Sequence, residues 1–496
     1  MSGPTPYAEL TAHLRGIAAL DQVSGLLMWD QETQMPVKGA AQRAEQNAAV
    51  ASARHALAGA PALADWIAEL ASADLDPAAA VNVAEAARIH RRATRLPVTL
   101  AADLARVTAE AFSVWQMARA AGTYADFAPI LGRIVALKRA EAACLAEPGQ
   151  SAYDALLADF EPGMTSEELA LIFGRLRPGL TSLRERIAES GWSMPRFVGG
   201  FGKAGQVALA RRLGDVFGYD WDAGRLDLAT HPSSSGSNGD VRITTRVNEG
   251  DPRECVYSTV HELGHALYEQ GLDPEQAMLP AGMAASMGVH ESQSRLFENQ
   301  LGRSRAFCEW LVLALGAQFG ATGVDMPESL YAAVNAVETG FIRTEADEVH
   351  YNLHVMLRFD LERALVAGDL EVGDLEMAWN DRFLADFGLE VPAPRLGVLQ
   401  DVHWSAGLFG YFPTYSLGNI YSAELHVALG RAVPDLDELL AIGELRPAID
   451  WLRENIHRKG RLLAPRALIA EACGHEPTEA ALLEYLERKY GALYRL

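Results

Sequence analysis

In the stretch "VYSTVHELGHALYEQG", Val256 to Gly271, two histidines stand four residues apart with a glutamate directly after the first. On a helix such residues lie one turn apart on one face, so the imidazoles of His261 and His265 can reach a single metal ion. Glu262 is turned about 100° around the same helix and cannot easily join them. A catalytic zinc keeps a position open for water and needs a nearby carboxylate to take a proton as that water attacks a carbonyl. Glu262 is offset as such a base would have to be. The bland alternative is a helix with incidental histidines.

Local signals place the motif on a helix. Asp251 is the predicted N-cap, Pro252 the first helical residue and Gly271 the terminator, with Glu254 three residues after the cap. Val260, Leu263 and Leu267 supply apolar neighbours. A His-His-carboxylate site needs one more acid, and the next predicted helix, "SMGVHESQSRLFENQLG", offers Glu291 and Glu298. Spacing ranks the two equally, and Glu291 could instead form an i,i+4 ion pair with Arg295. "HYNLH" repeats the spacing with His350 and His354 but has no acid after the first, so these are expected to face a core or a polar groove. His90, His426, His457 and His475 have no partner pattern and read as ordinary helix or loop residues.

The elements that must position these groups are mostly helices. From Tyr7 to about Glu189 apolar residues recur at helical spacing and Ala is abundant. "WDQETQMP" (Trp29 to Pro36) and "EPGQSAYD" (Glu147 to Asp154) read as turns between helices. Gly and Ser loops around Ser193 to Gln206 and Thr230 to Asp240 lead into a strand. There Val241, Ile243 and Thr245 alternate with Arg242, Thr244 and Arg246, which predicts a half-exposed strand and a small sheet beside the motif helix. Helices resume after Asp251, interrupted by a segment rich in Gly, Pro and aromatics from Val391 to Asn419.

At 496 residues, 49% hydrophobic and 22% charged, the chain reads as globular. A formal charge of -22 would repel a phosphate backbone or an anionic membrane, so neither nucleic acid nor membrane is an expected partner. Cys144, Cys255, Cys308 and Cys473 form no CxxC and are expected to be buried free thiols. The N-terminal stretch lacks a charged start followed by an apolar core, so a cytoplasmic protein is expected.

Five motifs carry a more specific resemblance. "HELGH", "HESQS" (His290 to Ser294), "DVRIT" (Asp240 to Thr244), "IRTEAD" (Ile342 to Asp347) and "GVLQDVHW" (Gly397 to Trp404) match the patterns HExxH, HES, DxRxT, IRxxAD and GxxQDxHW. The chain thus resembles the M32 family of metallocarboxypeptidases, the carboxypeptidase Taq type. "WDQETQMP" and "GYFPTYSLGN" are similar too, so the likeness spans the chain and implies a single peptidase domain over residues 1–496, with a helical part to about 195 and a catalytic part from about 196.

The resemblance implies His261, His265 and Glu291 as ligands of one zinc ion per subunit, with cobalt as a substitute, and Glu262 as general base and acid. It implies a mainly α, large helical two-lobed fold with a deep central groove and a small β-sheet next to the HExxH helix, similar to neurolysin and angiotensin-converting enzyme. It further implies a homodimer in the cytoplasm. One departure is visible: the family's HPF stands here as His231, Pro232 and Ser233, so His231 remains a substrate-binding candidate while the aromatic is missing.

The expected reaction is release of C-terminal residues from peptides with a free C-terminus. The fork of donors on an arginine suits a terminal carboxylate. Arg343 is the first candidate and Arg242 the second, the bland alternative being a buried ion pair with Asp347 or Asp240. His403 and Tyr411 could stabilise the charge that develops on the carbonyl oxygen, or form a packed aromatic corner. Two other functions are open: an oligopeptidase or dipeptidase using the same ion, and a catalytically silent metal-containing peptide-binding protein. Glu262 argues against the last, because a structural metal has no use for a base.

Overall fold

A computed structural model describes residues 5–496 of the chain. Helices dominate, the longest among the described residues being Pro6–Thr33, Ser166–Ser190 and Val98–Ala121. The starts of the first two carry side-chain caps that satisfy orphan backbone N–H groups. Thr5 accepts from the N–H of Ala8, and Thr165 with Glu168 closes a reciprocal capping box.

The first predicted turn is shorter than expected. Trp29 to Thr33 remain helical, and the chain turns only at Gln34 to Pro36. Gln31 and Glu32 are good helix formers, so a polar run alone does not end a helix, whereas Pro36 has no N–H to continue it. The second predicted turn is shorter than expected as well: the chain turns over 146–151 between the helices Tyr124–Leu145 and Ala152–Leu157, and Ala152 to Asp154 are already helical, with Ser151 as their cap.

The one sheet among the described residues has three strands, β1 (Gly224–Leu228), β2 (Ser234–Ser237) and β3 (Asp240–Thr245), in the order β1-β3-β2. β3 runs parallel to β1, with Leu226 opposite Ile243, and antiparallel to β2, with Ser235 opposite Arg242. Val241 and Ile243 are buried as their alternation predicts. Thr244, expected on the exposed face, is buried as well. That face is not open: Thr244 Oγ1 accepts from the N–H of Ser233 at 2.8 Å, Arg242 lies 4.3 Å over the Trp29 ring, and Ser233 Oγ reaches Glu32 at 3.5 Å. The end of the helix Pro6–Thr33 covers what a lone strand would expose.

The chain divides into two compact units, each assembled from three segments. The first comprises Met1–Thr94, Met194–Asn335 and Tyr421–Pro477; the second comprises Arg95–Ser193, Ala336–Ile420 and Thr478–Leu496. The first contains a core in which Leu10, Leu14 and Ile17 meet Leu63 and Leu70. That spacing is the stripe of a helix with one apolar face. Cys255, Cys308 and Cys473 are buried free thiols, but Cys144, in the last turn of Tyr124–Leu145, is only half-buried. Among the described residues no helix is long and apolar enough to cross a membrane.

Candidate metal centre

The motif helix spans Arg253–Gly271, starting one residue later than the caps predict, with Pro252 at the cap position. Asp251 still satisfies the helix start by accepting from the N–H of Arg253 at 2.9 Å. The following helix, Met287–Arg295, is capped by Ser286, whose hydroxyl accepts from Val289 N–H at 3.0 Å. The two helices touch at Gly264. A Cβ there would stand 2.5 Å from Ser294 Cα and 2.7 Å from the Gln293 carbonyl oxygen, closer than real Cβ atoms come. The absence of a side chain lets the backbones approach, which brings the short reach of Glu291 to the two imidazoles.

His261, His265 and Glu291 each offer one ligand atom, and these atoms lie within 4.8 Å of one another. Glu291 Oε2 is 3.5 Å from His265 Nε2 and 3.9 Å from His261 Nε2. Donors held at about 2.0–2.2 Å around a tetrahedral ion are themselves roughly 3.5 Å apart, so two nitrogens and one carboxylate oxygen fit a metal of the zinc type. It is the one such group among the described residues.

Outer contacts orient these donors. His261 Nδ1 bonds Glu298 at 2.9 Å, which leaves Nε2 directed toward Glu291. Glu298, which spacing alone ranked level with Glu291, stands behind His261 instead of among the three. It is carried by Leu296–Leu301, a π-helical segment whose wider turn shifts the register of the side chains. Arg295 donates to Glu291 Oε1 at 2.7 Å, so the i,i+4 ion pair and the ligand set coexist, one on each carboxylate oxygen. His265 Nδ1 lies 2.5 Å from His290 Nδ1, and His290 Nε2 lies 3.0 Å from Glu269.

Burial separates the charges of the groups. It pushes the Glu262 carboxyl up to about 7, with His261 opposing and Glu291 adding to the shift. Burial would lift Glu298 too, but Arg295, His261 and Arg303 outweigh it and hold that carboxyl far below the usual range. His265 is pushed well below the ordinary histidine range by burial, with the Arg295 charge acting the same way. For His261 burial acts the same way, but the Glu298 hydrogen bond and the charge of Glu291 prevail and raise it.

The sheet carries two further candidates. Arg242 is engaged by Asp240 at 2.8 and 2.9 Å, the acid anticipated for it, and rests on Trp29. His231 is exposed in the segment between β1 and β2, where its charge acts on Glu32, a carboxyl that burial raises.

Arg343, His403 and Tyr411 belong to the second unit. Arg343 is buried and donates to Asp401 at 2.9 and 3.2 Å and to the Tyr351 hydroxyl at 3.0 Å. Its acid is therefore Asp401 and not Asp347. Asp347 caps the helix Glu348–Ala367, accepting from Val349 and His350 N–H, and also holds the His350 ring at 2.8 Å. Arg358 takes the other oxygen of Asp401 at 2.6 Å. His403 Nε2 bonds the Tyr415 hydroxyl at 3.2 Å, its Nδ1 has no hydrogen-bond partner, and burial pushes it down to about 3 against the pull of Asp401. Tyr411 packs edge-on to Phe160 and Tyr415, so an aromatic corner is present. His350 and His354 are buried, the latter against Phe387 at 4.5 Å between centroids.

Sequence reasoning did not single out Asp401, Tyr415, His290, Glu269 or Glu362. Asp401 sits inside "GVLQDVHW" beside His403, a signal that could have found it. His290, Glu269 and Tyr415 likewise sit inside "HESQS", "VYSTVHELGHALYEQG" and "GYFPTYSLGN", whereas Glu362 lies outside every motif and depends on contacts with distant segments.

Residues 9–490 match the family described as carboxypeptidase Taq (M32) metallopeptidase. A thermostable carboxypeptidase 1 of Thermus thermophilus is 41% identical over 509 aligned positions, covering all of both chains. Among solved structures, the M32 carboxypeptidase from Deinococcus radiodurans is 38% identical with a TM-score of 0.93, covering 99% of this chain and all of that one. Metallocarboxypeptidase 1 of Trypanosoma cruzi is 35% identical with a TM-score of 0.95, covering 98% of this chain and 99% of its own.

Proposed function

Because the chain belongs to the carboxypeptidase Taq (M32) family of metallopeptidases and is a metallocarboxypeptidase, we propose that it releases C-terminal residues from peptides with zinc held by His261, His265 and Glu291. Cobalt suits the same donors. The observation that carries this reading is the convergence of two imidazole nitrogens and one carboxylate oxygen within 4.8 Å, one helical residue from the buried Glu262. When bound, the ion supplies Lewis acidity and acidifies water at neutral pH.

The chain's own residues do the rest. Glu262 accepts the proton of the attacking water and passes it to the leaving amine nitrogen, and a carboxyl pushed up to about 7 is suited to both transfers. Arg343 is the group proposed to take the substrate's terminal carboxylate. Two buried guanidiniums, Arg343 and Arg358, share the single carboxylate of Asp401, an excess of positive charge that favours an anionic chain end. Arg242 and His231 are the further substrate contacts of this reading. His403, kept neutral by burial, and the Tyr411 phenol are the proposed donors to the charge that develops on the scissile carbonyl oxygen. We place the enzyme in the cytoplasm as a homodimer with one ion per subunit.

Metal analysis with product mapping by mass spectrometry on one unblocked peptide tests the whole reading. One zinc per chain and stepwise loss of C-terminal residues are expected. Glu262→Gln should keep the metal and lose turnover, and near-normal activity would sink its role. Equal cleavage of free and C-terminally amidated peptides would remove Arg343 from terminus recognition.

A further inference from the structure

His290 precedes the carboxylate ligand in "HESQS", yet nothing in the proposed chemistry uses it. Its ring joins two residues of the motif helix. One edge, Nδ1, lies 2.5 Å from His265 Nδ1, and the other, Nε2, lies 3.0 Å from Glu269 Oε1. His265 and Glu269 are four residues apart and so share a helix face. His290 reaches across from the helix Met287–Arg295 and bridges them. Its ring is held by neighbours, with the His265 centroid at 4.6 Å and the Tyr268 centroid at 5.4 Å.

One arrangement of protons along this chain leaves His265 Nε2 free for a metal. An ionised carboxylate only accepts hydrogen bonds, so His290 must present N–H at Nε2 to Glu269. For Nε2 of His265 to bind a metal, the proton of that ring must sit on Nδ1, and the Nδ1 of His290, 2.5 Å away, is the acceptor within reach. The opposite nitrogen of His265, Nε2, is left with its lone pair and is the atom 3.5 Å from Glu291.

We propose that His290, backed by Glu269, is a positioning residue that fixes His265 in its Nδ1–H tautomer and so commits Nε2 to the metal. The inference rests on the reading of His261, His265 and Glu291 as ligands. The two imidazoles are thereby oriented by unlike partners, His261 directly by the Glu298 carboxylate and His265 by a second imidazole that relays a carboxylate. Hydrogen-bond partners on the far side of a ligand ring raise its basicity and hold the ring plane.

Zinc affinity by chelator competition, with nitrogen-15 NMR of the metal-free imidazoles, tests it. His290→Leu removes the acceptor and should weaken zinc binding about 10–100-fold. His290→Asn places an amide oxygen near the position of Nδ1 and should recover most of that loss. Glu269→Gln, which can still accept from His290, should bind zinc nearly as the wild type does. In the wild-type spectrum His265 should be protonated at Nδ1. Unchanged zinc affinity in His290→Leu, or a wild-type His265 protonated at Nε2, would overturn the proposal. The NMR assignment needs no variant, so it decides even if His290→Leu does not fold. Failure of the wild type to bind zinc would instead refute the ligand set, while leaving the tautomer measurable.

Discussion

Glu298 accepts a hydrogen bond from His261 Nδ1 at 2.9 Å while Arg295 and Arg303 donate to its two oxygens at 3.2 and 3.1 Å. A carboxylate so held is a fixed acceptor, and it settles which nitrogen of His261 is left for a metal. Glu298→Ala should therefore lower zinc affinity by about 10–100-fold with the three ligands intact. Glu298→Gln keeps an acceptor oxygen and should lose less. Chelator competition on both variants provides the check, and equal affinities for wild type and Glu298→Ala would show that the contact does not orient the ligand.

Gly264 has a steric duty that its place between the two histidines does not advertise. Since an added Cβ would meet backbone atoms of Gln293 and Ser294, no side-chain rotation relieves the contact. Gly264→Ala must push the helices Arg253–Gly271 and Met287–Arg295 apart. The expected result is a fall in stability of about 1–3 kcal/mol, the usual cost of overpacking, together with weaker zinc binding because Glu291 moves away from both imidazoles. Thermal unfolding and metal titration of the same sample would separate the two effects. A variant as stable and as zinc-avid as the wild type would contradict the close approach.

Much of this architecture is legible in the sequence where the cause is local. The motif helix, its cap region, the buried alternation of Val241 and Ile243 and a turn beginning near Glu147 all follow from spacing and residue type. Thr244 is misplaced by alternation because a helix 200 residues earlier in the chain covers its face, which no pattern within β3 can register. The same limit applies to Arg343. Its nearest acid in sequence, Asp347, is consumed as a helix cap, and its partner Asp401 is 58 residues away. Glu291 and Glu298 could not be separated by spacing because the difference between them arises from a π-helical turn that begins after Arg295.

Asp401 balances two buried guanidiniums, one on each oxygen. Burial alone would raise its carboxyl, but Arg343 and Arg358 hold it far below the usual range. Asp401→Asn would strand two positive charges in a buried setting and should cost about 3–5 kcal/mol. Arg358→Met removes one of those charges and leaves a balanced pair, so it should cost less. Urea denaturation at neutral pH ranks the two, and the reverse order would mean that Arg358 contributes more through its packing on Trp379 than through charge.

Glu362 gives the second unit a dependence on pH. Its carboxylate is buried and accepts from the Tyr153 hydroxyl at 2.9 Å, the Trp404 indole at 2.8 Å and the Gly410 N–H at 3.0 Å. Burial pushes it up to about 7 from 4.5, against the lowering by these donors. Between those two values the folded protein holds a proton that the unfolded chain has released, so stability falls as pH rises through the window. At about 1.4 kcal/mol per pH unit the loss attributable to this group is about 3 kcal/mol. Glu362→Gln cannot titrate, and its stability should decline less over the same range. Glu262, pushed up to about 7 as well, contributes to both proteins and cancels in the comparison. Urea unfolding of metal-free samples at pH 5 and pH 7.5 measures the difference, and equal declines in both proteins would mean that Glu362 stays ionised among its three donors throughout.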